Sequence, residues 1–406
     1  MRLLQDLFGG AAVNLLWLTI APLDKPGFRA TQFGMAIAME KIGWKVHLMG
    51  KAAADGPFSA YEGFTGKVTA IPRKGRFFTE INYHTDFWRA LLSGQVDVVM
   101  FEPPQLRLAA LPALASWAGF GKIKFVMDVR TPLVEESLHS RLEQLNYRLA
   151  MRFAKWFLPG VTVITDALRH DLEPFWGNSK PVSTWGSGVD PEVFSKSSVQ
   201  PVPKSLLNLE NRFVFLHHGS LSMEKGLQPL VEAMKPLTSA YPAAALLILG
   251  DGPAREQLLG LVRELGLQDS VFFVPAVQNH EVPRYIAAAD VGVIPIPADR
   301  HWQVSSPLKL FEYMAMELPV IVSDIEAHRA VLGKLPFAVY LETVSREGIC
   351  AAMMRAIERI DILRAEARGA RAVAVREHSW DRRAAELSGF LSGLAASKKV
   401  SEAGYV

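Results

Sequence analysis

The sequence predicts an α/β protein built from two doubly wound parallel sheets. Short apolar runs of strand type alternate with helical patterns along most of the 406 residues, which is typical of parallel sheets with helices on both faces. The first run is NLLWLTIA and the last is PVIVSD, and between the two series lies SKSSVQPVPKSLLNLENR, which has the composition of a linker. We therefore predict a first domain at 1–196, a linker at 197–210 and a second domain at 211–375, with 376–406 packing back on the first.

Composition excludes several classes of protein. The formal net charge is +3, which argues against a nucleic-acid binder, because such domains are usually strongly basic. The single cysteine, Cys350, permits no internal disulfide and no cysteine metal site. This composition fits a reducing compartment, and we expect no nucleic-acid partner.

The N-terminal stretch has two interpretations. LFGGAAVNLLWLTIAP could be the apolar core of a signal peptide. It also fits the first strand of a strand–helix–strand unit that continues through TQFGMAIAMEKIGWKVHLMG, and cleavage would remove that strand. We favour the second interpretation and expect no membrane-spanning segment.

The stretch SSPLKLFEYMAMELPVIVSD carries a single acid, Glu312, on its apolar helical part. Ser306 suits the N-cap and Pro307 the first helical position. The predicted buried stripe comprises Leu308, Phe311, Met314 and Leu318. Glu312 lies off that stripe and about 7–8 Å from a helix end that attracts anions, a separation that suits a ribose and its diphosphate. The alternative is a surface pair with Lys309.

Three more strand-to-helix loops of the second domain are compatible with a nucleotide. HHGSLSMEKGLQ offers Gly219, where backbone can approach an anion, and Lys225 beside a helix start. LGDGPAREQ turns at Gly252 and places Arg255 in the next helix, while FVPAVQNH offers Val277 to a flat heterocycle. Each loop alone is an ordinary turn, and four such loops in one domain favour a nucleotide site.

The order of these motifs resembles a known family. Gly-x-Leu-x-x-x-Lys-Gly, Gly-Asp-Gly-Pro, Ala-Ala-Asp-Val-x-x-x-Pro and Pro-x-Lys-x-x-Glu-Tyr-Met-Ala, spread over residues 213–325, resemble the donor domain of family 4 glycosyltransferases of the two-Rossmann (GT-B) type. The resemblance implies two facing Rossmann-like domains with a cleft between them and a C-terminal helix that crosses back. It also implies retaining transfer of a hexose-type sugar from a UDP- or GDP-linked donor to a glycan or lipid-linked acceptor. No cofactor and no metal are expected.

The resemblance also implies roles for single residues. Glu312 resembles the second glutamate of the family's Glu-x7-Glu element, which takes the ribose hydroxyls, and Lys225 the lysine that holds the diphosphate. Gly27, in the DKPGFRA loop, resembles the glycine turn of the acceptor domain, and Asp128 stands where relatives carry a histidine or aspartate near the reacting sugar. The expected catalytic residues are Asp128, Lys225 and Glu312. The expected donor-binding residues are Gly27, Gly219, Ser220, Lys225, Gly252, Arg255, Val277, Ser306, Pro307, Leu308, Lys309 and Glu312.

Two positions depart from the family pattern. Val304 stands where the first glutamate would be, and Ser220 replaces an arginine expected on the diphosphate. The residues that could supply the missing cation are Arg255, Lys309, Arg300 and His301. Three roles are open for Asp128: to act near the anomeric carbon, to orient the acceptor, or to pair with Arg130.

The sequence of the first domain gives less information about the acceptor. In LNYRLAMRFAKWFLPG, three basic residues and three apolar ones occupy different helical faces, which suits a helix at a membrane surface and suits an ordinary core-facing helix better. RKGRFFTEINYHTDFWRALL is an exposed loop near the acceptor in this interpretation. Phe77, Phe78 and Trp88 could stack on a sugar, although burial is the default for such residues.

Two rival functions remain at this stage. A nucleotide-sugar epimerase also uses two facing Rossmann domains, but it needs acid–base residues around the sugar and no acceptor. A non-catalytic partner of an active transferase would explain Val304 and Ser220, and donor turnover separates it from an enzyme.

Overall fold

The structure, a computed structural model, describes residues 13–24, 26–52, 63–73, 75–132, 138–177 and 180–396. The chain divides into two compact units. One comprises Met1–Ser187, Val304–Ser306 and Trp380–Val406, and the other comprises Gly188–Gln303 and Pro307–Ser379.

The first unit is built on a seven-stranded parallel sheet of order β3-β2-β1-β4-β5-β6-β7. The strands are β1 (Asn14–Thr19), β2 (Lys45–Ala52), β3 (Lys67–Pro72), β4 (Val98–Phe101), β5 (Lys124–Val129), β6 (Gly160–Val163) and β7 (Val182–Thr184). The helices are α1 (Pro26–Lys41), α2 (Arg76–Leu92), α3 (Leu106–Trp117), α4 (Leu138–Phe157), α5 (Asp166–Trp176) and the C-terminal α15 (Trp380–Ala396). Buried residues of α2 to α5 share one core with the sheet, so these four helices cover the same face, and α15 packs against α1.

The second unit is built on a six-stranded parallel sheet of order β10-β9-β8-β11-β12-β13. Its strands are β8 (Phe213–His218), β9 (Ala244–Leu249), β10 (Val271–Val274), β11 (Val291–Ile294), β12 (Val320–Ser323) and β13 (Ala338–Leu341). Its helices are α6 (Leu227–Ala240), α7 (Arg255–Leu265), α8 (Val282–Ile286), α9 (Arg300–Gln303), α10 (Leu308–Ala315), α11 (Glu326–Leu332), α12 (Arg346–Glu358), α13 (Ile360–Ala367) and α14 (Ala370–His378). Two separate cores, one around α6, α7 and α12 and one around α10 and α14, cover the two faces of this sheet.

In both sheets the strand order reverses at one point, between β1 and β4 in the first unit and between β8 and β11 in the second. Ligands of open parallel sheets bind outside the carboxyl ends of the strands at such a point. In the second unit, the loops after β8 and β11, the latter leading to α10, lie at this point.

The predicted fold class is confirmed, but some details differ. The sequence prediction missed β3 and β13, each an edge strand of its sheet. The stretch expected as a linker holds a 3₁₀ helix, Lys204–Leu207, and Leu209 is buried in a core of the second unit. Residues 188–210 thus belong to the second unit, which begins at Gly188.

Two segments of the first unit also differ from expectation. RKGRFFTEINYHTDFWRALL forms helix α2 for most of its length rather than a loop. Phe77, Phe78 and Trp88 are exposed, as are Leu149 and Trp156 of α4. The default of burial was wrong for Phe77, Phe78 and Trp88.

Candidate functional site

Glycines lock two loops of the second unit together. Gly219, at φ 111°, follows β8, and Gly250, at φ 147°, follows β9. A Cβ on Gly250 would lie 2.0 Å from the carbonyl oxygen of Gly219, and one on Gly252 would lie 2.1 Å from that of Leu221. The N–H of Leu221 donates to the carbonyl of Asp251 at 3.0 Å. Only glycine fits this close approach, which fixes the loop after β8 against the turn before α7.

Lys225 reaches back into this loop. Its Nζ donates to the carbonyl of Ser220 at 3.1 Å, and it ends a 3₁₀ turn just before Gly226, the N-cap of α6. A Cβ on Gly226 would lie 2.0 Å from the carbonyl of Pro295, which holds the turn in place. Burial lowers the pKa of Lys225, and Glu224 opposes the shift.

A second cation, Lys309, lies on the other side of Gly219. A Cβ on Gly219 would lie 2.9 Å from Cε of Lys309, so the lysine stem packs on bare glycine backbone. Burial, and then the neighbouring Lys225, lower the pKa of Lys309 to about 7, with Glu312 opposing. Lys225 and Lys309 thus both lie at the loop after β8, where burial makes their charged forms costly. Such shifted pKa values are concentrated at functional sites.

Glu312 is buried in the second unit rather than exposed at its surface. Only 5% of it is exposed, and its Oε2 lies 3.3 Å from Nε2 of His218. Burial raises the pKa of Glu312 to about 8, with Lys309 opposing, while burial and Lys309 lower the pKa of His218 to about 3. At neutral pH the proton therefore lies on the carboxyl group. The alternative of a surface pair with Lys309 was wrong, because the second half of α10 is buried on all sides.

Two further buried histidines neighbour Lys309. Nδ1 of His217 lies 3.0 Å from the carbonyl of Val293, and Nδ1 of His328 lies 2.8 Å from that of Ser323, so each ring is set as an Nδ1–H donor. Burial holds the pKa of both rings below the usual range, with Lys309 contributing. Neither histidine was predicted as a site residue. For His217 a signal was visible, since it forms the pair HH with His218 directly before Gly219.

The start of α10 is built differently from the prediction. Pro307 is the N-cap, no side chain caps the helix, and Leu308 and Lys309 form its first turn. Oγ of Ser306 instead accepts the N–H of Ser187 at 2.8 Å, and the capping role expected for Ser306 was wrong.

Val304 has a structural reason to be apolar. It is 1% exposed and packs into the core of the first unit, and its carbonyl accepts the hydroxyl of Thr165 at 2.6 Å. A glutamate at this position would bury an unpaired charge.

The other predicted donor residues lie nearby or are engaged elsewhere. Arg255 begins α7 and pairs with Asp251 at 3.3 Å, while Arg300 pairs with Glu326 at 3.0 Å. Val277 is half-buried against a core of the second unit. Of the four candidates to replace the missing arginine at Ser220, Lys309 is the one that packs on Gly219.

In the first unit, Asp128 is fully buried at the carboxyl end of β5. Its Oδ1 accepts Thr162 Oγ1 at 2.8 Å and Trp185 Nε1 at 3.1 Å. Its Oδ2 lies 3.6 Å from the guanidinium of Arg130, which stacks on the Trp185 ring at 4.1 Å. Burial raises the pKa of Asp128, and Arg130 opposes the shift most. The pairing with Arg130, one of the three open roles, is thus present.

A second acid, Glu102, lies beside Asp128 and was not predicted from the sequence. Phe101 pairs with Met127 in the β4–β5 register, so Glu102 stands next to Asp128. Its Oε1 accepts the hydroxyl of Thr19 at 3.1 Å and the N–H of Ile20 at 3.0 Å. Burial is the main cause that raises the pKa of Glu102 to about 7, and Asp128 adds to it. The acid directly after the apolar run VDVVMF was the available signal.

Gly27 does not lie in a loop. It is the second residue of α1, and the side chains around it, 25–29, lie outside the described residues. The glycine turn expected there is therefore replaced by a helix start.

Two features are absent from the described part of the chain. No group of three or more His, Cys, Asp or Glu side chains there could hold a metal ion. Within the same residues, no helix has both the length and the apolarity needed to cross a membrane.

Comparison with known proteins places this site in a family. Residues 212–359 match the family "Glycosyl transferases group 1". An uncharacterized glycosyltransferase of Methanocaldococcus jannaschii is 27% identical over 210 residues, 50% of this chain and 48% of the relative. The GDP-mannose-dependent alpha-(1-6)-phosphatidylinositol monomannoside mannosyltransferase of Mycobacterium tuberculosis is 26% identical over 248 residues, 59% of this chain and 63% of the relative. Each match thus spans less than two thirds of the relative's own length.

The fold comparison covers nearly the whole chain. The solved structure of the Anabaena protein HepE in complex with UDP-glucose superposes with a TM-score of 0.72 at 18% identity, covering 94% of this chain and 99% of that one. The chain has the GT-B fold, and its second unit matches the group 1 glycosyltransferases over residues 212–359. The resemblance predicted from the motifs is confirmed.

Proposed function

We propose that the protein is a retaining, metal-independent hexosyltransferase. It moves a hexose-type sugar from a UDP- or GDP-linked donor to a glycan or lipid-linked acceptor in the cytoplasm. The observation that carries the proposal is the convergence of Lys225, Lys309 and Glu312 around the glycine loop after β8.

The two lysines suit the departing diphosphate. Sugar transfer develops negative charge on the leaving phosphate oxygens, and fixed cations in a site of low dielectric stabilise that charge most. Lys309, with a pKa of about 7 in the ligand-free protein, takes up a proton when the anion arrives. Lys309 thus takes over the role of the arginine that relatives carry where this chain has Ser220.

Glu312 suits the ribose. A protonated carboxyl group both donates and accepts hydrogen bonds, so it can engage both hydroxyls of a ribose diol. Because its pKa is about 8, Glu312 adds no negative charge beside the diphosphate at neutral pH.

Asp128 is assigned a positioning role rather than that of a nucleophile. A retaining double displacement needs an accessible carboxylate at the anomeric carbon, whereas Asp128 is fully buried. Its Oδ1 accepts from Thr162 and Trp185, and its Oδ2 lies 3.6 Å from the guanidinium of Arg130. Stabilisation of the leaving group by Lys225 and Lys309 is then the main source of rate.

The base and the sugar are chosen by analogy. One relative is named as GDP-mannose-dependent, and one structural neighbour was solved with UDP-glucose. UDP-linked and GDP-linked donors are therefore tested separately.

The test is donor turnover by the full chain. UDP-glucose, UDP-N-acetylglucosamine and GDP-mannose are each incubated with the protein in EDTA, with and without mixed membrane lipid and glycan acceptors, and released UDP or GDP is measured. We expect one donor to be consumed, with the anomeric configuration of the donor retained in the product by NMR. Lys225→Met should abolish turnover while Lys334→Met, at an exposed lysine of the same unit, should not. Turnover of no donor would contradict the proposal and favour the non-catalytic alternative.

A further inference from the structure

Exposed apolar side chains are concentrated in the first unit. Of the fifteen large ones among the described residues, twelve lie in that unit and three, Leu206, Ile362 and Val375, in the second. Eleven of the twelve belong to α2, α3, α4 or the turn after α3: Phe77, Phe78, Ile81, Trp88, Leu92, Leu111, Trp117, Phe120, Leu145, Leu149 and Trp156. We call these eleven residues the apolar face.

Helix α2 is apolar on both sides. Tyr83, Phe87 and Leu91 are buried against the sheet. On the opposite side Phe78 is 63% exposed and Leu92 is 80% exposed. An ordinary surface helix would be polar there, so burial in the core of this unit does not explain the outward residues.

Helix α4 repeats the arrangement and adds positive charge. Ala150, Met151 and Ala154 are buried, while the outward stripe at helical spacing consists of Leu145, Leu149, Arg152 and Trp156. Arg148 and Lys155 flank this stripe. Trp156 is 67% exposed.

The outward sides of these helices face the same way. Helices α2, α3 and α4 share one core on one face of the sheet, so their outer sides all point away from it. Trp117 of α3 contacts Phe157 of α4 edge to face at 5.2 Å between ring centroids, which makes the surface continuous between these helices.

The charge of this surface is positive around α3 and the second half of α4. Residues 103–127 contain Arg107, Lys122 and Lys124 and no acid, and residues 144–165 contain Arg148, Arg152 and Lys155 and no acid. Helix α2 is mixed in charge, since its Asp86 pairs with Arg89 and its Glu80 pairs with Arg107. Within the described residues, no carboxylate forms an ion pair with Arg148, Arg152 or Lys155 of α4. Such cations are available to anionic groups of a partner.

We infer that the apolar face, with the cations of α4, docks on the surface of a bilayer that contains anionic lipids. Tryptophan and phenylalanine beside arginine and lysine are typical of segments at the membrane–water interface. Each cation near an anionic bilayer adds to the attraction, and a fluid headgroup layer complements a broad face of three helices without matched pockets. The inference goes beyond the proposed function and does not need a donor or an acceptor.

The test is flotation of the full chain with vesicles of phosphatidylcholine alone or of phosphatidylcholine and phosphatidylglycerol at 7:3. We expect binding to the anionic vesicles that weakens at 0.5 M NaCl, and quenching of tryptophan emission by brominated acyl chains. Arg148→Gln, Arg152→Gln and Lys155→Gln together should lower the partition coefficient roughly 100-fold. Leu149→Ser with Trp156→Ser should abolish the quenching.

The matched control is Leu206→Ser with Ile362→Ser, which removes exposed apolar side chains from the second unit and should leave vesicle binding unchanged. Every variant must keep the far-UV circular dichroism of the parent chain. No binding to anionic vesicles, or equal binding by the parent and the charge variant, would overturn the inference. A dimer in light scattering that dissociates with Trp156→Ser would overturn it too and assign the face to a protein contact.

Discussion

Replacing Lys309 by methionine should make the ligand-free protein more stable and the nucleotide site weaker. Methionine keeps an unbranched stem to pack on Gly219, where the lysine Cε lies now, and it removes a half-buried cation beside Lys225. Opposite signs of the two effects are expected only where a residue is held in place for binding rather than for folding.

The magnitude follows from the pKa. A fall from 10.5 to about 7 corresponds to about 5 kcal/mol at 1.36 kcal/mol per unit, an upper bound because methionine loses the remaining polar contacts of lysine. We expect a gain of about 1–4 kcal/mol below pH 7, where the folded protein holds Lys309 charged. Between pH 7 and 10.5 the unfolded chain binds the extra proton, so the parent gains stability with rising pH and the advantage of the variant disappears.

The assay has two readouts. Chemical unfolding at pH 6 and at pH 10 measures the stability difference, and calorimetry measures the affinity for UDP and GDP. Loss of one charge-assisted hydrogen bond of about 1.5–3 kcal/mol predicts roughly 10- to 150-fold weaker binding. Lys334→Met, at an exposed position of the same unit, should change neither.

A less stable variant, or unchanged nucleotide affinity, would refute this reasoning. The first result would mean that Lys309 supports the fold, and the second that the diphosphate lies elsewhere.

Four further predictions concern the same two units. Glu312→Gln should keep nucleotide affinity at pH 7 within about threefold, because the carboxyl is already neutral, whereas Glu312→Ala should lose roughly 5- to 150-fold in calorimetry. Affinity of the parent chain should fall by up to about tenfold per pH unit above pH 7, as Lys309 loses its proton and then Glu312, of pKa about 8, becomes charged; a flat profile would contradict this. Gly252→Ala should destabilise the protein by about 2 kcal/mol or more in chemical unfolding, whereas Gly260→Ala, in α7 with open space around it, should stabilise by about 0.5–1 kcal/mol. Asp128→Ala should cost about 1–3 kcal/mol of stability for each donor left unpaired, and Asp128→Asn should cost less.

The sequence predicted the parts of the fold that depend on strong apolar periodicity. Interior strands such as β8 and β9 are nearly continuous apolar runs, and they were found. The strands β3 and β13, KVTAIP and AVYL, were missed because they are edge strands with partly exposed side chains and only one paired neighbour.

Local capping rules failed where tertiary contacts compete. Ser306 has the right side chain for an N-cap, but its hydroxyl is taken by Ser187, more than a hundred positions away along the chain. Glu312 was placed correctly on its helix, but a surface pair with Lys309 was left open as the alternative, because helical spacing cannot show that a helix is buried on all sides.

The position of the candidate site was predicted from its loops, but the charge states and buried neighbours of its residues were not. Lys225, Gly219 and Lys309 stand close to one another as expected, while the buried histidines around Lys309 and the acid Glu102 beside Asp128 required the sheet register. Charge states of such groups depend on burial, which a single sequence does not display.

The most direct test of the central claim is titration of the full chain with UDP and with GDP at pH 7 in EDTA, in two buffers of different ionisation enthalpy. We predict that one nucleotide binds with a stoichiometry of one, that binding takes up a fraction of a proton through Lys309, and that Lys309→Met loses this uptake. If neither nucleotide binds at millimolar concentration, the second unit holds no donor site and the account fails.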